Sequence, residues 1–158
     1  MNGKSPAQHL AGFIARFQPE IAALIRDARA RMRKRLPRAV EMVYDNYNAL
    51  VIGFGPTERA SNAIVSIVAY PRWVSVCFLQ GAHLPDPLGL LIGGGNQVRH
   101  IRLDEGAAIL DTPPLRALIS EALKFSGEPF DGKNRLVIKA ICAKQRPRRA
   151  GPPSHRSS

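Results

Sequence analysis

A glycine run followed by cations has the composition needed to hold an anion. Gly93, Gly94 and Gly95 precede Arg99, His100 and Arg102. Glycines let backbone amides approach an anion closely, and the cations would neutralise its charge. However, no Lys-Ser/Thr pair follows the glycines as it does in a P-loop. We therefore interpret the segment as a flexible loop before a strand, with a phosphate cradle as the alternative.

Four aromatic side chains lie near the ends of predicted strands, namely Tyr44, Tyr47, Tyr70 and Trp73. Aromatic faces beside arginine can stack on a base or another ring ligand. The alternative, which we favour, is that these rings pack in the core and as a hairpin pair. If the chain has a ligand site, we expect polar residues at strand positions to form it. These candidates are Tyr47, Asn48, Arg99 and Arg102.

The sequence contains no pattern of a catalytic or metal site. No serine stands in a Gly-x-Ser-x-Gly context, and no pair of histidines has the spacing of a zinc site. Cys77 and Cys142 are too few for a metal cage, and each lies in an apolar run, which predicts a buried, inert thiol. We therefore predict a non-enzymatic protein with no cofactor and no metal.

The net charge of +11 is concentrated at the two ends of the chain. Residues 1–38 carry nine basic and two acidic side chains, and residues 133–158 carry eight basic and none that is acidic. Residues 39–132 have a net charge of −4. This layout favours an anionic partner, such as nucleic acid, bound by the ends. The alternative is a basic surface that only keeps the protein in solution.

The candidates for nucleic-acid contact are cations of the second predicted helix and of the C-terminal tail. They are Arg33, Lys34, Arg35, Lys144, Arg146, Arg148 and Arg149. The helix cations also have a structural explanation, because the carbonyl end of a helix dipole attracts positive charge. The tail is therefore the better candidate, and each phosphate that it neutralised would make binding more dependent on salt.

Hydrophobic periodicity predicts the elements that must position these side chains. Apolar residues at three- and four-residue spacing predict helices over 7–16, from Pro19 to about Leu36, and after Thr112. Strand patterns cover 48–54, 63–70, 73–79, 97–103 and 135–142. We predict an α+β fold with an antiparallel sheet of about five strands and helices packed on one face. Residues 1–142 form one domain in this prediction, and residues 143–158 form a basic, disordered tail.

Three stretches of the predicted sheet resemble the YdhG-like domain family of small bacterial proteins. They are 44–54 (YDNYNALVIGF), 70–87 (YPRWVSVCFLQGAHLPDP) and 98–102 (VRHIR). The resemblance covers roughly residues 10–125 and implies an antiparallel sheet with helices on one side. Most members of the family have no known function.

One branch of that family is similar to frataxin and is described as an intracellular iron chaperone. Such a protein carries iron on an acidic ridge of its first long helix, because hard cations prefer oxygen ligands. The matching helix here has only Glu20 and Asp27 among many cations. We therefore transfer iron binding to no residue and keep the iron chaperone as an alternative only.

Three functional hypotheses follow. The first is a binding module for a small ligand or a protein, the second is a nucleic-acid accessory protein, and the third is the iron chaperone. The sequence has no apolar run long enough to span a bilayer and no secretory signal. We therefore expect a cytoplasmic protein without membrane contact, whose exposed sheet edge offers a possible homodimer contact.

Overall fold

The computed structural model describes residues 3–149 in three helices and six strands. The helices are α1 (Pro6–Ala15), α2 (Pro19–Arg35) and α3 (Pro113–Leu123). The strands are β1 (Val40–Asp45), β2 (Leu50–Gly55), β3 (Val65–Ala69), β4 (Val74–Phe78), β5 (Arg99–Arg102) and β6 (Arg135–Ile141). Within the described residues, no helix is long and apolar enough to cross a membrane.

The strands form one sheet in the order β5-β4-β3-β2-β1-β6. The first four neighbouring pairs are antiparallel, whereas β1 and β6 run in parallel. The prediction of an α+β fold is confirmed, but the sheet is mixed and has six strands instead of about five antiparallel ones. The difference arises because the chain after α3 returns to the start of β1, so that Arg135 pairs with Val40 and β6 enters in the same direction as β1.

The helices cover one face of the sheet. In β1, Val43 belongs to the main hydrophobic core, while Met42, whose side chain lies on the opposite face, does not. The same alternation holds in the neighbouring strands, where Ile52, Ile67 and Val76 join the core. The core therefore fills the space between the helices and one sheet face, in agreement with the predicted packing of the helices on one side.

Small side chains occupy the middle of the opposite face. Gly53 pairs with Ser66 across β2 and β3, and Ser66 pairs with Cys77 across β3 and β4. A Cβ atom added to Gly53 would contact the Ser66 hydroxyl at 3.5 Å, which is an ordinary van der Waals distance. The pKa of Cys77 is raised because the thiol is largely buried, so it stays protonated. Cys142 is exposed, which contradicts the predicted burial of that thiol.

Residues 142–149, here called the C-terminal strap, pack against the end of the sheet. The Cys142 amide donates to the Asp45 carbonyl over 2.9 Å, and the Arg146 amide donates to the Tyr47 carbonyl over 2.9 Å. The prediction that residues 143–158 form a disordered tail is therefore wrong for residues 143–149, which pack against the sheet. The remainder of that prediction, 150–158, lies outside the described residues.

Candidate functional site

A pocket of about 580 Å³ lies at the end of the sheet where β1, β3 and β6 terminate. We call it the sheet-end pocket. Three segments meet there: the β1–β2 turn, the β3–β4 turn and the C-terminal strap. Besides two prolines, its lining residues are Asn48, Tyr70, Arg72, Trp73, Arg146 and Arg149. Its volume is within the range of about 300–1,000 Å³ that is typical of small-molecule sites.

The β3–β4 turn supplies the aromatic side of the pocket. The Tyr70 amide donates to the Trp73 carbonyl over 2.9 Å, which closes the turn at Pro71 and Arg72. Because the two aromatic residues flank the turn, their rings stack with a centroid distance of 4.6 Å and an interplanar angle of 25°. The Arg102 guanidinium lies 4.9 Å from the Trp73 ring centroid. The rings are therefore held as a pair before any ligand arrives.

The strap supplies a cationic side to the pocket. Arg146 and Arg149 line it from the strap, and Arg72 lines it from the β3–β4 turn. The Arg146 guanidinium is 3.5 Å from the Asn48 amide oxygen, and Arg149 Nε donates to the Arg16 carbonyl over 3.3 Å. Among the described residues, no carboxylate lines this pocket. The described lining thus combines three arginines with an aromatic pair and contains no acidic side chain.

Arg148 anchors the strap. Its side chain is 1% exposed, and its Nη2 donates to Asp45 Oδ1 over 2.9 Å and to the Asn46 carbonyl. The guanidinium lies 5.8 Å from the centroid of the Phe17 ring. Asp45, also buried, accepts a second contact from Arg16 at 3.3 Å. The prediction that Arg148 contacts nucleic acid is therefore corrected, because a guanidinium enclosed by the domain cannot reach a phosphate.

The structure brings together only part of the predicted ligand site. Asn48 lines the sheet-end pocket. Tyr47 is its neighbour in the same turn and is 44% exposed, but its ring is not part of the lining. Arg102 is not part of the lining; its guanidinium lies against Trp73 and forms an ion pair with Asp104 at 3.1 Å.

Arg99 lies elsewhere, because its guanidinium is used by the glycine-rich loop. It donates to the carbonyls of Gly94, Gly95 and Val98 over 2.8–3.1 Å. The loop therefore presents carbonyl oxygens to an arginine of its own chain. This arrangement supports the interpretation of the segment as a loop before a strand and gives no support to a phosphate cradle that uses Arg99.

The predicted nucleic-acid cations of α2 are mostly paired with carboxylates. Arg33 is 3.5 Å from Glu41, and Arg35 is 2.9 Å from Asp111. Hydrogen bonds from Arg35 and then Arg31 hold the pKa of Asp111 below its ordinary value. Lys34 is exposed on the helix, as is Lys144 on the strap. Of the predicted nucleic-acid cations, Arg146 and Arg149 are the two that line the sheet-end pocket.

Sequence reasoning missed the anchoring pair Asp45–Arg148 and did not select Tyr70, Arg72 or Trp73 as site residues. A signal for the hairpin residues was present, because the Tyr-Pro-Arg-Trp sequence of a tight turn places its two aromatics side by side. No comparable signal joins Asp45 to Arg148, since 102 residues separate them.

The described residues contain no group of three or more histidine, cysteine, aspartate or glutamate side chains arranged to hold a metal ion. Comparisons with protein-family models, with curated proteins and with solved structures each found no match to this chain.

Proposed function

We propose that this protein is a non-enzymatic binding module and that its sheet-end pocket takes a small anionic ligand. The observation that carries the proposal is the pocket lining, in which Arg72, Arg146 and Arg149 stand without a carboxylate. Clustered cations of this kind repel one another, and an anion relieves the repulsion. Guanidinium groups also bind carboxylate and phosphate through paired hydrogen bonds, which favours an oxyanion ligand.

The pocket differs in this respect from the rest of the surface. Elsewhere the arginines of the domain are commonly paired, as in Arg135 with Glu58 at 2.9 Å and Arg31 with Asp27 at 2.9 Å. A basic surface that served only to keep the protein in solution would need no concave site. We further propose, on the strength of its strand motifs alone, that the chain is a YdhG-like protein. We also propose that it is cytoplasmic, as expected from a sequence without a secretory signal.

The binding of anions tests the proposal. Stabilisation of the fold against heat would be measured with pyrophosphate, phosphate and citrate, since a ligand of the native state raises the unfolding temperature. We expect the double variant Arg146→Gln/Arg149→Gln to bind such anions about tenfold more weakly, a loss of about 1.4 kcal/mol.

The matched control is Arg59→Gln/Arg116→Gln, which removes the same charge from two exposed positions outside the pocket. It should retain the affinity of the unmodified protein. Equal losses in both double variants would mean that net charge, and not the pocket, binds the anion, and the proposal would then be abandoned.

A nucleic-acid accessory protein is the second candidate function. The observation in its favour is that Lys144, Arg146 and Arg149 are all exposed on one short strap. A strand that crossed the strap would bind with an affinity that falls as salt rises. Titration of single-stranded and double-stranded oligonucleotides at several salt concentrations tests this candidate. No observation within residues 3–149 favours the iron chaperone.

A further inference from the structure

We infer that the ligand of the sheet-end pocket is a nucleotide unit, with its ring on Tyr70 of the Tyr70–Trp73 pair and its phosphate on Arg146 and Arg149. This inference rests on the proposed function and narrows it to one chemical class. A free nucleotide and the nucleotide at the end of a single strand share this chemistry.

The aromatic side of the pocket suits a flat ring. Tyr70 and Trp73 are both partly exposed, and the turn between them fixes their orientation. Trp73 lies between Tyr70 and the Arg102 guanidinium, so the apolar surface offered to a ring is the outer face of Tyr70. A π-face binds any base because every base has one, and such contacts change affinity by about 5- to 150-fold. A plain inorganic anion would make no use of this surface.

The cationic side of the pocket suits a phosphate. Arg146 and Arg149 are exposed and come from the strap, a different segment of the chain from the β3–β4 turn that carries the aromatic pair. A phosphate offers several oxygens, so it can accept from both guanidinium groups at once. An uncharged aromatic ligand would leave these cations with neutral partners only, the Asn48 side chain and the Arg16 carbonyl. A ligand that uses both sides must therefore join a ring to an anionic group, as a nucleotide does.

The ion pair between Asp45 and Arg148 fixes the position of the arginines that bind the phosphate. Arg148 lies between Pro147 and Arg149 in the chain, and its buried ion pair with Asp45 fixes the strap against the domain. Arg148 is therefore a positioning residue, since it is enclosed by the domain and acts through its neighbours. A nucleotide that contacts both the turn and the strap binds only the docked strap, and by linkage it stabilises the docked state.

The experiment uses the fluorescence of Trp73, which is the single tryptophan of the chain. The unmodified protein would be titrated with adenosine 5′-monophosphate, with adenosine and with inorganic phosphate, and then with a 5′-phosphorylated single strand of eight nucleotides. We expect the nucleotide to change Trp73 emission and to bind at least about tenfold more tightly than adenosine or phosphate. Tighter binding of the oligonucleotide identifies a strand as the source, and equal binding identifies the free nucleotide.

Two variants test the ring contact and the position of the strap in turn, with affinities measured by calorimetry. Tyr70→Leu should reduce nucleotide affinity about tenfold and leave phosphate affinity unchanged, because only the ring contact is lost. Arg148→Met should weaken both ligands, and nucleotide should no longer protect the strap from trypsin. The control Arg59→Gln/Arg116→Gln should behave as the unmodified protein does.

The failure of this inference is distinct from that of the proposed function. If phosphate binds as tightly as the nucleotide, or if Tyr70→Leu affects both equally, the nucleotide assignment is overturned while the anion site stands. If none of the anions binds, both are overturned. Should Tyr70→Leu fail to fold, the comparison of nucleotide with phosphate on the unmodified protein still decides the assignment.

Discussion

Helix α2 and the C-terminal strap are both rich in arginine and lysine, but their cations have different surroundings. The cations of α2 lie above the helix-covered face of the sheet, where Arg29 and Arg33 reach the buried Glu41. The strap crosses the end of the sheet, where Arg148 alone is buried and Arg146 and Arg149 line a pocket free of carboxylates among the described residues. A local count of charges therefore does not show which charges are available to a partner.

The reason for the difference lies in β1. Strand alternation directs Glu41 and Asp45 to the helix-covered face, where each carboxylate is shielded from water. A buried carboxylate requires cationic partners, because leaving its charge unpaired costs several kcal/mol, of the order of 3–5. Glu41 takes its partners from α2, and Asp45 takes Arg16 and Arg148. On the strap, the arginines that do not pair with a buried carboxylate, Arg146 and Arg149, are the ones that a ligand can reach.

The largest expected effect comes from breaking the anchor of the strap. Arg148→Met leaves the buried Asp45 with Arg16 alone, and we expect a loss of about 3 kcal/mol in the free energy of unfolding. Urea denaturation measures the loss, and trypsin should then cleave the strap faster after Lys144; the bond after Arg146 resists trypsin because Pro147 follows it. An unchanged stability together with an unchanged cleavage rate would show that the strap does not depend on this ion pair.

The corresponding change on the α2 side should have a smaller effect. Glu41→Gln keeps the shape of the side chain but removes the charge that Arg29 contacts at 2.7 Å. We expect a loss of about 2 kcal/mol, the value typical of hydrogen bonds to charged groups. The control Glu58→Gln removes an exposed partner of Arg135 and should cost less than about 1 kcal/mol. Similar losses in the two variants would mean that burial of Glu41 has no special importance.

Ligand binding should separate the two regions directly. Replacing the exposed α2 cations in Arg26→Gln/Lys34→Gln should change nucleotide affinity less than about twofold, whereas Arg146→Gln/Arg149→Gln should reduce it about tenfold, which is about 1.4 kcal/mol. Both double variants lower the net charge by the same amount, so long-range attraction changes equally. A loss as large in the α2 variant would place the anion site on the helix.

The smallest expected effect concerns pH. Because Arg35 and Arg31 lower the pKa of Asp111 in the folded state, this carboxylate stabilises the fold above the ordinary aspartate pKa of about 3.9. That contribution is lost as pH falls through the lowered pKa. Asp111→Asn should therefore be less stable than the unmodified protein at pH 7, and the difference should shrink below about pH 4. Urea midpoints at pH 7, 4, 3 and 2 would check this, and a constant difference would contradict it.

Several elements were predictable from local patterns. Pro19 and Pro37 bracket the long helix in the sequence, and α2 begins at Pro19 and ends just before Leu36. The strand patterns over 63–70 and 73–79 predicted β3 and β4, and both strands are present and largely buried in the structure. Asn48 was selected as a ligand residue and lines the pocket, whereas Arg99 was selected by the same pattern and binds its own loop.

The sequence by itself determined the α+β class, the approximate positions of the helices and most strands, and the concentration of positive charge at the two ends. These properties depend on residues that are close in the chain, through turn chemistry and hydrophobic periodicity. The tertiary structure decided the parallel pairing of β6 with β1, the burial of Arg148 against Asp45 and the meeting of the β3–β4 turn with the strap. Those contacts join residues about 75–100 positions apart, and only the packing of the whole domain determines which of the many possible distant pairs form.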